Sequence, residues 1–204
     1  MARRNNQGAA AGRPARGQAT TEALRRAVQE LLEEAGYRAL TIEGVAARSG
    51  VAKTSIYRRW PSKAEMVFDL ILHSSAELPA LDDRGGLTGD LEALSARIVA
   101  LVAGPLGRRI FPGLICDATS DHALMQRFQA TFVADGRNQI AQVLERSVRR
   151  GELADARAAA DVQAVLIGAA LMLALLHPDL GEEALRDKIT DLAMAVVHLR
   201  RNPP

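Results

Sequence analysis

"LTIEGVAARSGVAKTSIYRRWPSKAEM", Leu40–Met66, is the stretch whose reading decides the architecture. Thr41 stands before "IEGVAARS", where its hydroxyl can cap a helix, and Glu43 lies in the first turn, where the helix dipole favours a negative charge. Gly50 ends that helix, because glycine takes positive φ without a Cβ clash. A third helix starts at about Ala52 and is broken at Pro61. Ser62 and Glu65 make an S-x-x-E capping box, so a fourth helix follows, with Met66, Leu70 and Ile71 inward. Two short helices joined by Ser-Gly-Val make a helix-turn-helix. Ala46 supplies a small side chain at their crossing, and Val45, Val51 and Ile56 supply a small core.

With Ile56 set inward, a helical wheel places Ala52, Arg59 and Trp60 toward the core or its edge. Lys53, Thr54, Ser55, Tyr57 and Arg58 form the outward set. It holds donors, acceptors and a ring with a hydroxyl tip, and no carboxylate. That chemistry suits phosphate oxygens and base edges in a DNA major groove. Trp60 reads as a core aromatic. Arg59 is open between a phosphate contact and a cover for Trp60.

Charge supports this division. Residues 1–63 carry twelve Arg or Lys against five Asp or Glu, while the remainder carries fourteen against nineteen. A basic head on an acidic body points to a polyanion partner for the head. Leu24, Val28, Leu31, Leu32 and Ala35 share one stripe of a first helix, capped by Thr20 and ended by Gly36. Residues 1–17 have almost no apolar content and read as a disordered basic arm. Its Arg3, Arg4, Arg13 and Arg16 suit either a minor-groove arm or a solvated tail.

The stretch Leu40–Met66, extended back to Thr20, resembles the DNA-binding region of TetR-type transcriptional regulators. The T-x-x-x-V-A spacing, the S-G-V turn, Tyr57 three residues before an aromatic, and the P-S-K start of the fourth helix occur together. The resemblance implies that Thr41, Tyr57 and Lys63 meet phosphate and that Lys53, Thr54, Ser55 and Arg58 lie on the recognition helix. It also implies that the remaining chain dimerises through its last two helices and encloses a ligand cavity. Trp60 stands where the family more often has Phe or Tyr, and Arg59 where it often has His or Tyr.

Past a loop at 79–90, helical periodicity covers about 90–103, 106–117, 121–150, 156–177 and 182–200. No strand alternation or internal repeat is found. The expected fold is all-α, about nine helices, with a head at 18–64, a body at 65–200 and a flexible tail at 201–204. Val162, Val165, Leu166, Ala169, Leu173 and Leu176 form one stripe, and Ile167, Leu171 and Leu175 a second face on that helix. Leu185, Ile189, Leu192, Val196 and Leu199 form the stripe of the last helix. A helix apolar on more than one face needs more than one neighbour. Val162, Leu166, Ala169, Leu173, Leu185, Ile189, Leu192 and Val196 are therefore expected at a two-fold interface, or else they complete the chain's own core. Phe111, Leu114, Met125, Phe128, Phe132 and Met172, with Leu72 on the fourth helix, are candidates for an apolar ligand, with His122, Gln129 and Gln163 as polar anchors. The same Met and Phe pattern also suits plain core packing.

The chain has one cysteine, Cys116, so no internal disulfide or cysteine-rich zinc site is possible. It reads as a small core residue in a reducing compartment. The four histidines, His73, His122, His177 and His198, are scattered, and no nucleophile motif or phosphate-binding glycine loop occurs. No catalytic residue, metal or cofactor is expected. The opening residues are not a secretory signal. The longest apolar run, Ala164–Leu176, has 13 residues, short of a span of about 18. The expected protein is a cytoplasmic homodimer that binds double-stranded DNA, with no membrane partner and a small, largely apolar organic effector. It acts as a repressor released from a palindromic operator. The alternatives are an architectural DNA-binding protein without effector, or a helical enzyme or carrier.

Overall fold

Leu24, Ala27, Val28 and Leu32 recur at three- and four-residue intervals and are buried together on one face of the first helix. The computed structural model describes residues 12–73 and 81–199. Helix α1 runs Gly12–Ala39, with a non-helical break at Gly36. It starts well before the expected Thr20 cap, so residues 12–17 are helical rather than disordered. Pro14 falls in the first turn, where its missing N–H loses no helical bond. Leu31 is half-buried and Ala35 exposed, so the inward face is narrower than expected. Arg3, Arg4, residues 74–80 and the tail from 200 to 204 lie outside the described residues.

Helices α2 (Ile42–Ser49) and α3 (Lys53–Arg59) follow, and α4 begins as Lys63–Val67 and continues as a wider π-helical turn, Phe68–His73. Ile42, Val45, Ile56, Trp60, Met66 and Phe68 close the core beneath them. The chain divides into two units, Met1–Leu72 and His73–Pro204. Helix α4 thus belongs with the head, rather than starting the body at residue 65. Arg25 Nε donates to the Leu70 carbonyl at 3.0 Å and Trp60 Nε1 donates to Asp69 at 2.8 Å, which ties α4 to α1 and α3.

The second unit contains α5 (Leu87–Ile98, then Val99–Ala103), α6 (Pro105–Ser120) and α7 (His122–Phe128, Gln129–Val133 and Ala134–Arg149). Helices α8 (Ala159–Leu176) and α9 (Glu182–Leu199) complete it. That makes nine helices and no strand among the described residues. The α5–α6 pair bends by 69°. A Cβ at Gly104 or Gly107 would run into the carbonyls of Ala100 and Leu101, so the bend needs glycine at both positions.

Helix α5 starts at Leu87, inside the segment expected to be a loop. Asp90, the last residue of that expected loop, is fully buried. It accepts from the Arg84 amide at 2.8 Å and from Arg150 at 2.9 Å, with Arg146 at 3.6 Å. Arg150 also donates to Asp83, Ser147 and Glu152. The start of α5 is thereby clamped to the end of α7.

Helix α8 packs on α7 and α9, and α9 packs on α5. Val162, Leu166, Leu185 and Ile189 are fully buried inside the single chain. These four expected interface residues are core residues instead. Periodicity finds an apolar stripe, and the first neighbour to bury it is the chain itself. Ala169, Leu173 and Val196 are half-buried and Leu192 is exposed. Cys116 is also a correction: it is exposed. It falls outside the inward stripe of Ile110, Phe111, Leu114 and Ala118.

Candidate nucleic-acid interface

Three local devices set the geometry of the head. Thr41 Oγ1 accepts from the Gly44 amide at 3.0 Å and starts α2. Gly50, at φ 71°, turns the chain so that α3 crosses it. Ser62 Oγ accepts from the Glu65 amide at 3.2 Å and starts α4. Ile56 anchors α3 inward and Trp60 closes its end as a buried side chain. The Arg59 guanidinium lies 4.5 Å from the Trp60 ring and donates to Thr21 Oγ1 at 3.0 Å. Arg59 and Ala52 are exposed, so the wheel set them too far inward, while the role of Arg59 as a cover for Trp60 is present.

Lys53, Thr54, Tyr57, Arg58 and Thr41 are exposed, and Ser55 is half-buried. Thr54, Ser55 and Arg58 have no side-chain partner among the described residues, so their donors and acceptors are available. Lys63 Nζ sits 4.5 Å from the Tyr37 ring centroid and donates to the Tyr37 carbonyl at 3.2 Å. Its charge is therefore fixed at the start of α4. Sequence reasoning placed Glu43 in the first turn of α2 but missed what it pairs with. Glu43 ion-pairs with Lys53, and its oxygen lies 3.5 Å from Tyr57 Oη. The Lys53 hydrogen bond is the main cause that holds the Glu43 carboxyl below its ordinary range, and it raises Lys53 in turn. No sequence periodicity pairs residues ten positions apart across a turn.

The body holds a cavity of about 50 Å³ between α5, α7 and α8. Its apolar walls include Leu94, Ile98, Phe132, Ile140 and Ile167, and Arg97, Gln139 and Gln163 form a polar arc. Arg97 donates to Gln139 at 3.0 Å, and Gln163 donates to the Val133 carbonyl at 2.7 Å. Of the candidate ligand residues, Phe132 lines this space. Phe111 and Phe128 pack around Phe132, with ring centroids at 6.4 and 5.1 Å. Leu114 is buried, Met125 half-buried and Met172 exposed, and Leu72 is buried in the head unit. His122 and Gln129 are exposed and do not line the cavity.

Residues 24–70 match the domain described as "Bacterial regulatory proteins, tetR family", and residues 81–193 match "Tetracyclin repressor-like, C-terminal domain". The chain belongs to the TetR family of transcriptional regulators. It is 32% identical over 139 residues to the "DNA-binding transcriptional repressor TetR" of Mycobacteroides abscessus, covering 68% of this chain and 73% of the relative. It is 31% identical over 128 residues to an uncharacterized HTH-type transcriptional regulator of Mycobacterium bovis, covering 62% of this chain and 61% of that relative's length. Among solved structures it is similar to the TetR family transcription regulator SCO0332, with a TM-score of 0.67, 29% identity and coverage of 86% of this chain and 97% of that one. It shares the fold of FadR from Bacillus subtilis in complex with stearoyl-CoA, at a TM-score of 0.61, 16% identity and coverage of 87% and 99%.

This TetR-family chain leaves one more surface to account for. Helix α8 has a mean hydropathy of 2.1 over 18 residues, enough for a membrane span by length and composition, yet only 33% of that window is buried. Met172, Leu175, Leu176, Leu192 and Leu199 are the exposed large apolar residues of α8 and α9. They run beside the half-buried Ala169, Leu173 and Val196.

Proposed function

We propose that this chain is a dimeric repressor that reads a palindromic operator and leaves it when a small, largely apolar molecule enters the body. Lys53, Thr54, Ser55 and Arg58 face the major groove, and Thr41, Tyr57 and Lys63 meet phosphate. The observation that carries the reading is the outer face of α3, where Thr54, Ser55 and Arg58 are unpartnered beside cations and no carboxylate belongs to the helix itself. An arginine in that position suits a bidentate contact with guanine. The repressor of Mycobacteroides abscessus supports the sign of control.

Dimerisation follows from the open face of α8 and α9. One recognition helix touches few bases, and two-fold symmetric half-sites need symmetric readers, with centres about 34–36 Å apart or a multiple of that. The effector reading rests on the apolar cavity with its arc of Arg97, Gln139 and Gln163. Pockets for drug-sized ligands are roughly 300–1,000 Å³, so a cavity of about 50 Å³ would have to widen to take one. A ligand has to part α5 from α7 and α8, which is how it would alter the spacing of two heads. FadR of Bacillus subtilis is seen in complex with stearoyl-CoA, whose acyl chain alone matches the apolar part of this effector class.

Selection of bound duplexes from random sequence tests the reading. The expected product is an inverted repeat with half-sites one or two helical turns apart. A unique but asymmetric site, or no enrichment, refutes it. An apolar compound found by thermal shift should then weaken operator binding, and operator should weaken the compound's binding by the same factor.

A further inference from the structure

Lys53 opens the recognition helix, and its ammonium does not point freely into solvent. It is paired with Glu43 from the first turn of α2. The same carboxylate oxygen lies 3.5 Å from Tyr57 Oη, and Lys53 Nζ lies 5.5 Å from the Tyr57 ring centroid. Two side chains assigned to the DNA surface are thus drawn to one carboxylate that belongs to a different helix. All three are exposed, so the arrangement sits on the contact surface and not beneath it.

We propose that Glu43 is a brake on DNA binding, which holds Lys53 and Tyr57 to α2 until a phosphate displaces it. The inference rests on the reading of α3 as the DNA-facing helix. A carboxylate in the first turn also complements the helix dipole, but that role needs no lysine from α3. When DNA arrives, Lys53 exchanges a carboxylate for a phosphate, and the released Glu43 stands beside the negatively charged backbone. Sequence-independent binding is almost wholly a matter of phosphate neutralisation, so this term bears the whole penalty. Thr54, Ser55 and Arg58 have no such partner, and their base contacts do not pass through the pair. Glu43 therefore lowers occupancy of arbitrary DNA while leaving base reading intact.

The depressed Glu43 carboxyl, caused first by the Lys53 hydrogen bond, fits a charged pair at neutral pH. In the complex, a free carboxylate takes up a cation and cancels part of the counterion release that Lys53 produces.

The test uses the full chain and random-sequence duplex, followed by fluorescence anisotropy across a salt series. Glu43→Gln keeps the shape and removes the charge. It should tighten binding about two- to fivefold at moderate salt, the range of an exposed ion pair. It should also steepen the log K against log salt slope by about 0.9 per chain. In a Lys53→Ala background the gain should shrink. Unchanged or weaker binding by Glu43→Gln overturns the brake and leaves a helix-dipole role. An equal gain in both backgrounds also overturns it, because the charge would then act diffusely and not through Lys53. If Lys53→Ala itself fails to weaken binding, the outer-face reading falls together with the brake. Matched circular dichroism melts separate each of these outcomes from loss of fold.

Discussion

Replacing Leu192 by arginine separates the two tasks of the paired helices α8 and α9. Leu192 leaves 45% of its surface open, while Ile189, three residues earlier, leaves none. Fully burying a Leu or Met side chain stabilises by about 1.5–3 kcal/mol. Met172, Leu175, Leu176, Leu192 and Leu199 are each between 42% and 73% open, so covering them against a partner yields about 1 kcal/mol apiece. Counted on both chains of a two-fold dimer this is about 10 kcal/mol, set against roughly 4–15 kcal/mol of lost translational and rotational freedom. The balance is narrow, so single residues on this face matter. Leu192→Arg removes one of them twice and places an unpaired guanidinium in an otherwise dry contact, at several kcal/mol. The dimer should weaken by at least about 1,000-fold, which corresponds to about 4 kcal/mol. Sedimentation velocity should show monomer, and circular dichroism should show an unchanged helical spectrum. Ile189→Arg should instead lose the fold. A Leu192→Arg protein that stays dimeric refutes the face. One that unfolds refutes the premise that Leu192 lies outside the subunit core.

Arg58→Ala should cost roughly 1–3 kcal/mol of operator binding and relax preference at one base position per half-site; an unchanged selected motif would show that Arg58 is not a base reader. Asp90→Ala leaves the Arg84 amide and two guanidinium groups short of a buried acceptor. It should lower stability by roughly 2–4 kcal/mol, measured by urea unfolding, whereas a neutral result would mean the clamp contributes no net stability. The Glu34 carboxyl, held down chiefly by its hydrogen bond from Arg48, and that of Glu43 both lie below the ordinary 4.5 in the folded chain. Their contribution is therefore complete above that value and is lost as pH falls through the depressed values. Thermal midpoints should be flat from neutral pH to about 5 and drop below it, and Glu34→Gln should reduce the drop.

The parts of the structure legible in sequence are those made within one turn of a helix. Thr41, Gly50 and Ser62 act through bonds to residues at most four positions away. Their side-chain chemistry therefore announced the helix boundaries and, with them, the helix-turn-helix. Trp60 was legible as core because a large apolar ring after the amphipathic residues of α3 has one economical place to go. The start of α1 was hidden, since Arg, Gly and Ala read as unstructured until Pro14 is recognised as a first-turn residue. Asp90 was hidden for a different reason: its partners Arg146 and Arg150 lie 56 and 60 positions on. A buried carboxylate and a solvated one look alike in sequence. Cavity walls from α5, α7 and α8, and the reach of Lys53 to Glu43, depend likewise on tertiary approach.

The same distinction bears on how the site works. The caps and the turn that start the reader's helices are local. On the proposed reading, control comes through quantities that are not local: the distance between two heads, and the charge facing the duplex. A hundredfold loss of operator affinity corresponds to about 2.7 kcal/mol of coupling. Ligand binding can supply it only by favouring a body shape that the operator complex does not favour. On the proposed reading, a cavity of about 50 Å³ lined from three helices is suited to that, because a drug-sized apolar molecule would need it to widen. The brake at Glu43 sets the scale from the other side. By trimming the phosphate term, it keeps the total affinity for DNA low enough for a coupling of that size to release the protein.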